Sequence, residues 1–304
     1  LAAGLGTGDA VITAPNTFVA TTNMLLAVGA KPVFCDIRSD TWNIDEKRIE
    51  ALITPRTRAI VPVHFAGHPA AMDKIVRLAK RRQLLVIEDA CHAFGASFKN
   101  DPIGSIGDLS VFSFHPVKPI TTAEGGAVLT NDERLARALR SVRSHGIEKD
   151  ADGFNSMTAF GYNYRLSDIQ AALGLSQLKR VDTMIAKRRA LAAEYADRLQ
   201  GIIGLQLPVE REDVRSSWHL YVVRVRDPGR RLPLLRFLRG RGIGTNIHYP
   251  AVYAHPYYRA HGYEQTTLAE ADRYHASCVT LPLHGALTRN DIAVVCGALK
   301  TIFT

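Results

Sequence analysis

From residue 10 to about residue 130 the chain alternates two kinds of apolar pattern. Short runs rich in β-branched and aromatic residues predict strands: AVITAP (10–15), KPVFCDI (31–37), RAIVPVHF (58–65), LLVIEDA (84–90), LSVFSF (109–114) and GAVLTN (126–131). Between the early ones, TFVATTNMLLAVGA (17–30), NIDEKRIEALI (43–53) and PAAMDKIVRLAKRRQ (69–83) carry helical spacing. Gly29 is the expected C-terminal stop of the first, and Pro69 the expected first-turn residue of the third. Nearly continuous apolar strands separated by helices predict a mostly parallel central sheet with flanking helices, an α/β architecture.

The pattern changes after residue 160. SDIQAALGLSQLKRVDTMIAKRRALAAEYADRL (167–199) predicts one long helix, with Ser167 and Gln170 forming a capping box and Ile169, Leu173, Leu175, Leu178 and Val181 an apolar stripe. SWHLYVVRV (217–225), PLLRFLRGRGI (233–243), GTNIHYPAV (244–252) and DIAVVCGALKTIF (291–303) then alternate strand and helix. We therefore expect a large α/β domain over 1–180, and a linker helix with a smaller C-terminal α+β domain over 181–304. The opening LAAGLGTGDAVITAP suggests a helix end, a turn and a strand, so the large domain is expected to lack its N-terminal part.

Composition narrows the classes. With 46% hydrophobic and 22% charged residues, the 304-residue chain can bury a core and is not disordered. No apolar run reaches 18 residues, so no membrane span is expected. The four cysteines, Cys35, Cys91, Cys278 and Cys296, are far apart and form no CxxC pair, which favours reduced thiols and a cytoplasmic enzyme. A net charge of +9 favours an anionic partner. The basic clusters AKRRQ (79–83), AKRRA (186–190) and GRRLPLLRFLRGRG (229–242) suit solvent faces of helices better than a nucleic-acid surface. A phosphorylated or nucleotide-bearing small molecule fits the charge equally well.

Two motifs lead nowhere. GLGTGD (4–9) precedes a strand instead of joining a strand to a helix, so it is expected to be a tight turn and not a dinucleotide loop. HFAGH spaces His64 and His68 by four, but it follows a strand, contains glycine and lacks a zincin glutamate; turn structure or proximity to a ligand is expected instead of a metal pair.

Two further stretches carry chemistry. VIEDACHAFGA (86–96) delivers Glu88 and Asp89 at the carboxyl end of a predicted parallel strand, where ligand crevices form, with His92 three residues on. A buried carboxylate keeps a pyridine nitrogen protonated, and a flat imidazole can lie against the ring; capping of the next helix by Asp89 and packing of His92 in the core are the plain alternatives. SFHPVKPITTAEGG (113–126) brackets Lys118 with Pro116 and Pro119 and follows it with Gly125-Gly126. Lys118 on this stiffened turn is a solvated lysine, a phosphate binder or a covalent amine. Covalent work needs a depressed pKa, and desolvation and nearby positive charge both provide one. Asp89 upstream favours that third reading.

In their order along the chain, PNTFVATTN, VPVHFAGHPAAMD, IEDACHAFGA, SFHPVKPITTAEGG and GYNYRLSDIQAALGLSQL, followed by HLYVVRV, RGIGTNIHYPAVYAHPYY and LPLH, resemble the blocks of the DegT/DnrJ/StrS sugar aminotransferases. The resemblance spans nearly the whole chain and implies a fold-type I transferase dependent on pyridoxal 5'-phosphate. It implies that Lys118 forms the Schiff base and shuttles the proton, that Asp89 pairs with the pyridine nitrogen, and that His92 and Phe18 flank the ring. Ser113 would bind the cofactor phosphate, Asn163 would reach that phosphate from a second subunit of a homodimer, and His248 and Tyr249 would lie near the substrate. SFHPVKPITT and GYNYRL are particularly similar to the branch that aminates a UDP-linked 4-keto-6-deoxy-N-acetylhexosamine with L-glutamate for pseudaminic acid. That implies nucleotide-sugar chemistry for a cell-surface polysaccharide. Other keto-deoxysugars, or a non-catalytic homologue, are the alternatives. The segment that supplies a helix-terminal phosphate cup in the family precedes the position of Leu1, so weak or absent cofactor binding is also expected of this chain.

Overall fold

The computed structural model describes residues 1–303. All six strands expected in the first 131 residues form, with slightly tighter bounds: β1 (Ala10–Thr13), β2 (Lys31–Phe34), β3 (Thr57–Val61), β4 (Leu85–Asp89), β5 (Leu109–Ser113) and β6 (Gly126–Leu129). They make one sheet in the order β2-β1-β3-β4-β5-β6. The first five run parallel, and β6 returns antiparallel to β5. All four residues of β1 are buried, as expected of a strand covered on both faces. Ile12, Ile60, Val86 and Phe112 join Trp42, Phe65, Met72 and Ile75 in the main core.

The helices depart from expectation in three places. α1 (Ala20–Ala27) forms and ends at Gly29, but residues 43–53 give only a single 3-10 turn at Glu50–Leu52. There, Ile44 is fully buried and bridges back to Ile37, and the Asp45 amide donates to the Asp36 carbonyl, so tertiary pairing overrides helical spacing. α2 (Met72–Arg82) begins three residues after Pro69, because the His68 and Pro69 carbonyls accept from the Asn43 side chain. The long helix of 167–199 is two helices. After α3 (Glu133–Arg143), α4 (Asp168–Leu178) opens on the expected Ser167–Gln170 capping box, and α5 (Val181–Leu199) follows a break at Lys179–Arg180.

The apolar stripe of α4 faces outward. The helix buries no residue, and Ile169 is 84% and Leu175 62% exposed. The AKRRA cluster also departs from a solvent face: Arg188 is buried and donates to the carbonyls of Trp218, His219 and Leu283.

The C-terminal region adds a three-stranded antiparallel sheet, β7 (Leu205–Gln206), β8 (Tyr221–Val225) and β9 (Cys278–Leu281), with β8 central. With α5, α6 (Arg231–Gly240) and the last helix, α8 (Arg289–Phe303), it surrounds a second core containing Leu191, Tyr195, Tyr221, Leu234, Leu281 and Ile292, whereas α7 (Ala269–Ser277) packs Ala271 and Tyr274 into the main core. Asp36 ties the two regions together by accepting the Glu270 and Ala271 amides at the start of α7. No described helix is long and apolar enough to cross a membrane.

Candidate active site

The carboxyl ends of β4 and β5 deliver the two residues that matter most. Asp89 ends β4, and Ser113 ends β5 five residues before Lys118. Lys118 closes a turn in which its amide donates to the His115 carbonyl at 2.9 Å. Pro116 takes the second position of that turn, where its fixed φ is favoured. The loop then returns to the sheet through Gly126, which pairs with Ser113. A Cβ on Gly126 would lie 2.6 Å from the Phe112 carbonyl oxygen, so this return needs glycine.

Lys118 is half-buried, and burial lowers its amine pKa; the charges of Cys91 and Asp89 work against that shift. The Asp89 carboxylate is held from two sides: Thr21 Oγ1 donates at 2.5 Å and the Cys91 amide at 3.1 Å. Thr17 Oγ1 lies 2.9 Å from Thr21 Oγ1 and extends the chain of hydroxyls.

Aromatic groups complete the cluster. His92 is buried, and its Nε2 lies 3.2 Å from the Tyr249 hydroxyl. The Tyr249 ring touches both His92, stacked at 6.0 Å between centroids, and Phe18 at 6.1 Å. Phe18 itself is 58% exposed, at the mouth of the site. His248 Nδ1 lies 2.9 Å from Thr280 Oγ1. Burial, then the Lys118 charge, pushes the His248 imidazole down to about 4. Burial first, and Lys118 and His248 next, also hold His92 well below its ordinary value. Near neutral pH both rings are therefore uncharged.

The structure thus gathers Lys118, Asp89, His92, His248 and Tyr249, with Phe18 at the rim and Ser113 at the base of the lysine loop. Asn163 stands apart. It is exposed, its Oδ1 accepts from Arg165 Nε at 2.7 Å, and its backbone bridges to Ser144.

Sequence reasoning missed three members. Thr21 orients Asp89. Cys91 presents its amide to Asp89, and burial, then the Asp89 charge, raises its thiol pKa. His219 packs its ring 4.5 Å from that of His92 and is kept neutral by burial. Only Cys91, two residues beyond Asp89, left a sequence signal; the other two reach the site through the fold.

These residues fit pyridoxal phosphate. An amine eased toward its neutral form stands near a carboxylate fixed by two donors, and aromatic faces lie beside them. His92 Nδ1 is buried without a partner, an orphaned polar atom suited to a polar ligand atom. A mostly parallel α/β sheet with this lysine–aspartate pair at its carboxyl edge fits a pyridoxal-phosphate-dependent enzyme. Residues 1–300 match the DegT/DnrJ/EryC1/StrS aminotransferase family, and the chain belongs to it.

Among curated proteins, the spore coat polysaccharide biosynthesis protein SpsC of Bacillus subtilis is 40% identical over 314 residues, covering 99% of this chain and 81% of SpsC. Among solved structures, S. venezuelae DesV in complex with a ketimine intermediate superposes with a TM-score of 0.93 at 37% identity, covering 99% of this chain and 80% of DesV. Helicobacter pylori PseC, an aminotransferase involved in the biosynthesis of pseudoaminic acid, gives 0.93 at 36%, covering 98% of this chain and 80% of PseC.

Proposed function

We propose that this aminotransferase moves the amino group of L-glutamate to the 4-keto carbon of a UDP-linked 4-keto-6-deoxy-N-acetylhexosamine, in the formation of pseudaminic acid. The observation that carries the reading is the placement of a half-buried Lys118 beside a fixed Asp89, on a chain as similar to PseC as 36% identity.

Bound pyridoxal phosphate supplies an aldehyde that condenses with amines and a ring that spreads the electron pair freed when a carbon loses its proton. Lys118 Nζ is the residue that takes the α-proton of glutamate, and in the second half-reaction it supplies the proton to the sugar carbon. One group can do both because burial brings its pKa toward the working range. Asp89 keeps the ring nitrogen protonated, and Thr21 and the Cys91 amide hold that carboxylate in one orientation. His92 and Phe18 would flank the ring, Ser113 would bind the phosphate, and His248 and Tyr249 would contact the sugar. The neutral states of His92 and His248 fit contacts to hydroxyl and carbonyl groups.

The working form is a homodimer in which Asn163 reaches the phosphate of the opposite subunit. Support comes from the outward apolar stripe of α4 and from the solvent position of Asn163. A cytoplasmic setting is supported by the four cysteines, all free thiols.

A second reading, amination of another nucleotide-linked keto-deoxysugar, is favoured by the equal similarity of DesV. The deciding experiment offers the cofactor-loaded protein glutamate and a panel of keto-sugar nucleotides, with products identified by mass and NMR. Amination of the UDP-linked N-acetyl sugar alone supports the first reading; turnover of a different sugar in its place replaces it.

A further inference from the structure

The strand that ends in Asp89 also carries Glu88, which the amino-transfer chemistry leaves unused. Successive strand residues point to opposite faces, so Glu88 projects away from the site into the protein interior. It is fully buried, yet its carboxylate is satisfied from three directions. His64 Nε2 lies 2.9 Å from Oε2; the Gly107 amide and Ser110 Oγ donate to Oε1 at 2.7 and 2.6 Å, with the Ile106 amide at 3.3 Å.

The tautomer of His64 follows from its second contact. Ala70 N–H donates to Nδ1 at 3.1 Å, so the ring proton sits on Nε2 and is donated to Glu88. Glu88 therefore carries the charge. Burial opposes its ionisation, but the bonds from His64, Ser110 and Gly107 outweigh burial and lower its pKa. His64 holds β4 twice: its side chain binds Glu88, and its backbone amide donates to the Asp89 carbonyl at 3.0 Å. Glu88 thus joins the chain leaving β3, through His64, to the start of β5, through Ser110, immediately behind Asp89. Among the described residues, His64 is the titratable group in contact with Glu88; those acting around Asp89 are Cys91, Lys118 and Tyr249.

We propose that Glu88 and His64 are positioning residues, a buried hub that fixes the end of β4 so that Asp89 meets the cofactor's ring nitrogen and keeps it protonated. The proposal rests on the cofactor chemistry and needs neither the sugar nor glutamate, so its test is separate from that of the substrate.

The chain is reconstituted with pyridoxal phosphate labelled with 15N in the ring, and the nitrogen shift is followed from pH 6 to 9. Wild type should stay protonated across the window, whereas Glu88→Gln should lose the proton within it and bind the cofactor about tenfold more weakly. Ser110→Ala removes one donor and leaves the carboxylate in place. It should shift the nitrogen in the same direction, with about threefold weaker binding, and it decides the matter if Glu88→Gln fails to fold. A merely structural hub would lower the melting temperature of the apo protein and leave the ring nitrogen unchanged in both variants; that result overturns the proposal.

Discussion

Thr21 donates a 2.5 Å hydrogen bond to the Asp89 carboxylate across 68 residues of sequence. This contact sets the direction of the acid proposed to pair with the cofactor's ring nitrogen. Thr21→Val keeps the shape and removes the donor. A lost bond to a charged group is worth about 1.5–3 kcal/mol. Pyridoxal phosphate affinity, measured by fluorescence titration, should fall about tenfold or more, with the fold unchanged by circular dichroism.

Lys118→Ala should abolish transamination, a loss of at least about a thousandfold, because no other amine in the cluster replaces Nζ. Borohydride reduction of the wild-type protein with cofactor should fix the added mass on the peptide containing Lys118, and the variant should show none. Since burial lowers the Lys118 pKa, trapping should reach its plateau at lower pH than for a free lysine.

Stability should fall as the solution is acidified below neutrality. His92, His219 and His248 are all held below the ordinary imidazole value by burial, His248 at about 4. Below about pH 6.5 the unfolded chain binds these protons while the folded chain resists them, for His248 until the pH approaches about 4, so the folded state loses ground as pH decreases. Each ring that takes up a proton only in the unfolded chain contributes a slope of at most about 1.4 kcal/mol per pH unit. Urea denaturation at pH 7, 6 and 5 should show the decline, and His248→Asn should make it shallower.

Gly67→Ala should cost about 2 kcal/mol or more. Gly67 has φ +93°, and a Cβ there would lie 2.5 Å from Ser217 Oγ and 2.9 Å from the backbone nitrogens of Trp218 and His219. Denaturant unfolding measures the loss. The displaced segment carries His219, so cofactor affinity should fall as well.

If α4 is a subunit interface, Ile169→Asp should split the dimer by placing a charge in its apolar centre. Size-exclusion chromatography with light scattering should report a monomer of about half the wild-type mass. Because Asn163 is proposed to act across that interface, cofactor affinity should drop with it.

The sheet was legible because its strands are apolar on both faces and stand between clear breaks. Asp89 stood out at the carboxyl end of such a strand and Lys118 between Pro116 and Pro119, and the fold brings the two into one cluster. The 43–53 segment was not legible, since Ile44 and Asp45 are committed to Ile37 and Asp36, contacts that helical spacing does not register. Arg188 looked like one more surface charge in AKRRA, but its three carbonyl partners lie on segments brought together only by folding. Thr21 and His219 escaped notice for the same reason.

The antiparallel return of β6 has a mechanical consequence. Phe114 is pinned to Gly125 and Thr122, so the loop bearing Lys118 leaves and re-enters the sheet at adjacent rungs. Its tip is a short arm on a stiff pedestal. In its proposed role Lys118 would change partners by side-chain rotation, with the strands below it left undisturbed.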